Sequence, residues 1–302
     1  MNQHLSETKG SSPGIIDPLH LYFHSHVLKA LDHLPVLYAR VVTGSERNLI
    51  RLRIWLACHV YRSFPSGGVC RFGPRSVVKC ALVTRTAEAP NIEYIAGNTT
   101  IPVPRVHDVF IVNQRTYIIM DYYINGSEFS HKALFAEQRE SIFEELKGYI
   151  AQMRTLKPTR PGRVESADGS GVFDHRLEDR PFPPFESIEK FHSHIGHDVI
   201  LYSDRHRKAW SQFQAMGNRK YCTKFTHSDI APRNLLVNNG KIAAIIDWEM
   251  AGWYPEYWEY TRWAVSNYRS PPGWQELREE VLECYLDELW VEEYLDSVFT
   301  RF

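Results

Sequence analysis

Apolar residues recur at helical spacing over residues 18–42, at Leu19, Leu21, Tyr22, Val27, Leu28, Leu31, Val36 and Leu37, which predicts one or two helices there. The run from Leu49 to Phe64 is rich in apolar residues, but its pattern fits a helix and a strand equally. Beyond it the period shortens. Ser76 to Ala81, Ser-Val-Val-Lys-Cys-Ala, reads as a buried strand. Ala87 to Gly97 reads as a helix that stops at Gly97-Asn98. Pro102 and Pro104 hold the following segment extended, because a residue before proline avoids the α region. Val106 to Val112 and Arg115 to Tyr123 then read as two strands joined by a turn at Asn113.

From Phe129 onward the helical period dominates. Phe135 to Leu156 places Phe135, Ile142, Phe143, Leu146, Ile150 and Met153 on one face. Further helices are expected over Ile188 to Ile195, Asp204 to Met216 and 275–297, with a polar, proline-rich loop between Pro158 and Pro184. The chain therefore reads as α+β in two lobes. A small sheet-based lobe covers residues 1–123, with a tail over 1–14, and a larger, mainly helical lobe covers 124–302.

One stretch breaks this pattern with polar residues at fixed points. It runs Phe225-Thr-His-Ser-Asp-Ile-Ala-Pro-Arg-Asn-Leu-Leu-Val237, then Asn-Asn-Gly-Lys, then Ile242-Ala-Ala-Ile-Ile-Asp-Trp-Glu249. Two short apolar runs split by Asn238-Asn239-Gly240-Lys241 predict a β-hairpin. Asp229 and Asn234 precede its first strand and Asp247 follows its second, so the hairpin brings all three to one mouth. Three oxygen-bearing side chains at one point suit a hard cation such as Mg²⁺. Phosphoryl transfer needs this grouping: one carboxylate to take the hydroxyl proton, and an Asn and an Asp to hold metal against the phosphates. A cap at Asp229 and a strand terminator at Asp247 would not require the hairpin between them. His227 reads as a brace for the loop rather than a proton carrier, and stands with Asp229 as a catalytic candidate.

The spacing His-x-Asp-x4-Asn followed by Ile-Asp-Trp-Glu resembles the aminoglycoside phosphotransferase and choline kinase superfamily, whose fold is protein-kinase-like. The continuation Ala251-Gly-Trp-Tyr-Pro-Glu-Tyr-Trp-Glu-Tyr260 looks like the branch common in filamentous fungi. The resemblance covers most of the chain from about Val77. It implies ATP and Mg²⁺ as cofactors, Asp229 as base, and Asn234, Asp247 and Glu249 as metal ligands. It also implies that Lys79 holds the ATP phosphates with Glu88 as its ion-pair partner, Glu93 being the competitor, and that adenine lies against the hinge around Met120. Ser228 stands where the superfamily usually has glycine. Ser66-Gly67-Gly68 and Gly73 replace a regular glycine-rich loop.

Composition narrows the rest. The 302 residues carry a formal net charge of −1, which gives no reason to expect nucleic acid or an anionic membrane as partner. Five scattered cysteines form no paired motif, and Met1 to Gly14 lacks an apolar signal core, so a soluble cytoplasmic enzyme is expected. The substrate is expected to be a small molecule with a hydroxyl, aminoglycoside-like or a hydroxylated natural product. Glu256, Glu259, Glu283, Asp287, Glu288, Glu292, Glu293 and Asp296 could hold a cationic acceptor or form a solvated face. Tryptophans 248, 253, 258, 263, 274 and 290 could be core or line an apolar pocket. A lyase or cyclase on the same fold, acting by phosphorylation and elimination or without net phosphorylation, is the alternative. Oligomeric state is not readable.

Overall fold

The structure, a computed structural model, describes residues 39–298 apart from 43, 62–67, 83–86, 114, 124–125, 130–134, 176, 179, 197–203 and 267–269. All of these fall in one unit, residues 35–302. The expected tail over 1–14 and the helical spacing up to residue 38 lie outside the described residues.

The helical period does not extend to residue 42. Arg40–Val41 form strand β1, which pairs in parallel with a later strand at Phe110 and Ile111. Helix α1, Gly44–Val60, makes the ambiguous run helical as far as Val60, and residues 62–64 of that run lie outside the described residues. Ile50, Ile54 and Ala57 recur at helical spacing, and Ile50 and Ile54 pack with Phe110, Val112 and Tyr117. The opposite side carries Leu49, Leu52, Trp55, Leu56 and Val60 exposed, so both sides of this helix are apolar and neither period stands out in sequence.

Strands β2 (Val69–Arg71) and β3 (Ser76–Leu82) are followed by helix α2 (Glu88–Asn98), then β4 (Val106–Val112) and β5 (Arg115–Asp121). The five strands lie in the order β1-β4-β5-β3-β2, antiparallel except for the β1–β4 pair. After β6 (Ser127–Glu128) come helices α3 (Ala136–Thr155), α4 (Ile188–Ile195) and α5 (Asp204–Gly217). Helix α3 buries Ile142, Leu146, Ile150 and Met153 in one core with Ile118 and Met120 of β5 and Ile92 and Ile95 of α2.

Strand β7 (Thr223–Thr226) leads into the hairpin β8 (Leu235–Asn238) and β9 (Lys241–Ile245), and β10 (Gly252–Pro255) returns to pair with β7. Helices α6 (Trp258–Ser266), α7 (Trp274–Val281) and α8 (Leu286–Val298) close the described chain. The single closing helix expected over 275–297 is thus two. Leu282 leaves helical dihedrals at φ −120, ψ 147. The break lets Trp274, Leu277 and Leu282 join the main core while Val291 and Leu295 join a second core with Phe191, Tyr254 and Trp258. One straight helix could not face both. Trp248, Trp253, Trp258, Trp263 and Trp274 are all buried in these cores, so none of the five lines an open pocket. Among the described residues no helix is long and apolar enough to cross a membrane.

Candidate active site

The β8–β9 hairpin closes through a two-residue loop, Asn239-Gly240, with Asn238 paired to Lys241. Asn239 and Gly240 take φ of 50 and 73, the left-handed values a tight hairpin turn needs, which asparagine and glycine adopt at least cost. The strand ends opposite this turn carry the polar residues. Pro232–Asn234 form a single 3-10 turn into β8. The Ile246 N–H donates to the Asn234 carbonyl at 2.9 Å, so Asn234 sits beside the residue that precedes Asp247.

Asp229 is buried, and its carboxylate has three donor contacts. Asn234 Nδ2 donates to Oδ2 at 2.8 Å, and Arg233 Nη2 lies 2.7 Å from both Oδ1 and Oδ2. Asn234 Nδ2 also donates to the Asp229 carbonyl at 2.8 Å. His227 is fully buried and spans two backbone segments. Its Nδ1 accepts from the Asp229 N–H at 3.2 Å, which leaves Nε2 as the protonated nitrogen, donating to the Ile246 carbonyl at 3.1 Å. Burial lowers the pKa of this ring, consistent with a neutral imidazole. The His227 N–H in turn donates to buried Glu259 at 2.6 Å. Between them sits Ser228 at φ 66, a left-handed conformation that disfavours any side chain and accounts for the glycine usual at this place.

Lys79 comes to the same region from β3. Its Nζ lies 2.6 Å from Asp247, 2.8 Å from Glu88 and 3.5 Å from Glu249. Of the two partners weighed for Lys79, Glu88 at the start of α2 is the one in contact, and Glu93 is exposed. Burial would lower the Lys79 pKa, but the three carboxylates outweigh it and hold the ammonium above its ordinary value. Burial likewise pushes the Glu88 carboxyl up, to about 7, against the pull of Lys79 and with the help of Asp247 and Glu249. Asp247 goes the other way: burial would raise it, yet Lys79 keeps it below the usual carboxylate value. Asp247 also holds φ 67, ψ 59, a left-handed backbone at the point where β9 turns away.

Met120 lies two positions along from this cluster on the adjacent strand, paired with Val77, and its side chain is in the main core. The next two N–H groups, of Asp121 and Tyr122, donate to the Arg105 and Arg75 carbonyls.

Two residues of this region escape a reading of the sequence. Arg233 lies four positions after Asp229, a spacing that can pair opposite charges, but the turn around Pro232 conceals it. Asn91 has no local signal at all. Fully buried on α2, it donates to the Trp248 and Ala251 carbonyls at 3.1 and 2.8 Å and accepts from the Ala167 N–H at 2.9 Å. It thereby fastens α2, and with it Glu88, to the segment following Asp247.

The likeness to solved structures is one of fold. A putative fructosamine-3-kinase from Haemophilus somnus aligns with a TM-score of 0.54 at 15% identity, over 82% of this chain and 90% of that one. The choline kinase LicA from Streptococcus pneumoniae aligns with a TM-score of 0.51 at 12% identity, over 82% of this chain and 87% of that one. The aminoglycoside phosphotransferase APH(4)-Ia, in complex with ADP and hygromycin B, aligns at 14% identity and a TM-score of 0.48, over 76% and 88% of the two chains. No curated protein sequence gives a match. The profile of the phosphotransferase enzyme family matches residues 81–294. That span takes in Glu88, the Asp229 loop, the hairpin and Asp247, and on it the chain belongs to the phosphotransferase enzyme family.

Proposed function

We propose that this enzyme transfers the γ-phosphoryl group of ATP to a hydroxyl of a small molecule, with magnesium, in a cleft between an N-terminal lobe ending near residue 123 and the remainder of the chain. The observation that carries this reading is the meeting of Lys79 with Asp247, at the end of the hairpin whose other strand end holds Asp229 and Asn234.

Asp229 accepts the acceptor's hydroxyl proton as that oxygen bonds to the γ-phosphorus and ADP leaves. Asn234 and the His227 brace fix the carboxylate in place. Burial keeps His227 neutral, and both its nitrogens are engaged with backbone, so it positions Asp229 rather than carrying protons. Lys79 turns its ammonium to the phosphates, held by Glu88, and the adenine lies against the end of β5 at Met120.

The donor set fits a hard divalent cation. Carboxylate oxygens of Glu88, Asp247 and Glu249 lie within 4.8 Å of one another around the Lys79 ammonium, and the ligands assigned here, Asp247, Asn234 and Glu249, would bind the ion through oxygen. Magnesium bound there supplies neutralisation of phosphate charge. Hydroxylated natural products are the substrate class in view, and the cytoplasm the expected place of action. The test is incubation of the purified protein with ATP, Mg²⁺ and hydroxylated candidates, following ADP and product mass. A product heavier by one phosphoryl group supports the reading. A dehydrated product with free phosphate, or product formed without ATP, counts against it.

A further inference from the structure

We propose that the acceptor carries an anionic group close to the reacting hydroxyl, and that Arg233 is the residue that selects it. This rests on the reading of Asp229 as the base.

Arg233 is half exposed, at 51% of its side chain, while the Asp229 carboxylate it covers is only 4% exposed. One guanidinium nitrogen stands 2.7 Å from each carboxylate oxygen. A hydroxyl must come within roughly 3 Å of one of those oxygens to give up its proton. It therefore arrives beside a guanidinium, and so does whatever substituent flanks it. The charge of Arg233 is permanent, and the group is a planar fork suited to a carboxylate or phosphate. An acceptor with an oxyanion next to its hydroxyl gives Arg233 a second partner and frees a carboxylate oxygen for the hydroxyl. An acceptor with an ammonium in that place meets like charge.

The acidic residues that could have held a cationic acceptor are in large part engaged internally. Glu259 is buried and accepts from the His227 N–H. Glu288 pairs with Arg219 and Tyr221, and Asp287 with the same arginine. Glu292 pairs with buried Arg262. Glu283 accepts from Tyr285, and Glu256 from the Cys222 N–H. These six carboxylates have partners within the C-terminal region and the catalytic loop, while the charged side chain paired with the Asp229 oxygens is that of Arg233.

The experiment uses two matched sets of probes: mandelate, methyl mandelate and phenylethanolamine, then glycerate, methyl glycerate and aminopropanediol. Binding is measured by calorimetry to the full chain with ADP and Mg²⁺, and ADP release with ATP is followed in parallel. The acids are expected to bind about 10- to 100-fold more tightly than their esters, the weight of one charged hydrogen bond. Arg233→Gln is expected to erase that gap, and Arg233→Lys to restore part of it, with circular dichroism showing both variants folded at the assay temperature. Equal binding of acid and ester, preference for the amines, no binding of either acid, or a preference that survives Arg233→Gln each overturn the proposal. Asp229→Asn separates this from the underlying reading. If that variant keeps full phosphoryl transfer, the role of Asp229 fails; if it loses transfer while acids and esters bind the parent alike, only the anionic acceptor fails.

Discussion

Lys79 Nζ and Asp247 Oδ1 stand 2.6 Å apart although 168 positions separate them in the chain. The contact joins the five-stranded sheet to the end of the hairpin, and Glu88 and Glu249 complete the set around the same ammonium. One cation thus balances three carboxylates. Replacing it with Met leaves them to repel one another, and breaking a buried pair by removing one partner costs about 3 kcal/mol. Lys79→Met should therefore lower the thermal midpoint of the free protein, and millimolar Mg²⁺ should raise the midpoint of the variant more than that of the parent. Scanning calorimetry with and without Mg²⁺ checks this; an equal rise in both proteins contradicts it.

Asp229→Asn keeps shape and hydrogen bonding to Asn234 but cannot accept a proton. Turnover should fall by roughly 10²–10⁴, the weight of a positioned base, with ATP affinity changed no more than a few-fold. Steady-state ADP release and nucleotide titration read the two quantities. Unchanged turnover refutes the role given to Asp229.

Asn91 satisfies two carbonyls and one N–H inside the protein. An apolar replacement of similar volume, Asn91→Leu, strands the Ala251 carbonyl and the Ala167 N–H, since the Trp248 carbonyl keeps the Ala251 N–H at 3.1 Å, at about 1–3 kcal/mol for each buried group left unpaired. The expected loss is at least about 2 kcal/mol in denaturant unfolding. Because α2 also carries Glu88, turnover should fall with it. A variant as stable as the parent would show that the Ala251 carbonyl and the Ala167 N–H find other partners.

Ser228 holds a left-handed backbone. Ser228→Gly relieves this at the cost of a freer unfolded chain, so the net gain should be small, up to about 1 kcal/mol. Unfolding in urea measures it, and destabilisation beyond about 1 kcal/mol would mean that the Ser228 side chain contributes more than its backbone conformation costs.

His192 is buried, with Nε2 2.9 Å from the Tyr257 hydroxyl, and burial lowers its pKa from 6.5 to about 4. Between those values the unfolded chain binds a proton that the folded chain does not. Stability from this group is full above the unfolded pKa and falls as pH drops from about 6.5 toward 4, by about 3 kcal/mol in all. His192→Gln should flatten that part of the profile. Denaturation midpoints of both proteins between neutral and mildly acid pH decide it, and parallel curves would exclude the histidine as the cause.

The sequence determined the local elements wherever one period ruled. Ile188–Ile195 form a helix with the bounds its pattern implies, and Asn239-Gly240 make the tight turn that their left-handed tolerance allows. It also determined that Asp229, Asn234 and Asp247 belong near one another, because a tight hairpin returns the end of its second strand to the start of its first, here with one register shift between Leu236 and Val237. Where a helix was apolar on two sides, as α1 is, periodicity carried no answer. Where one apolar stretch served two cores, as at Leu282, it gave a continuous helix that packing divides. Tertiary structure alone fastened Asn91 to the Trp248 and Ala251 carbonyls and gave many of the C-terminal acids internal partners. It also set Arg233 against Asp229. Such contacts depend on which faces meet after folding, and neither the distance between two side chains nor the burial of a charge is encoded in local pattern.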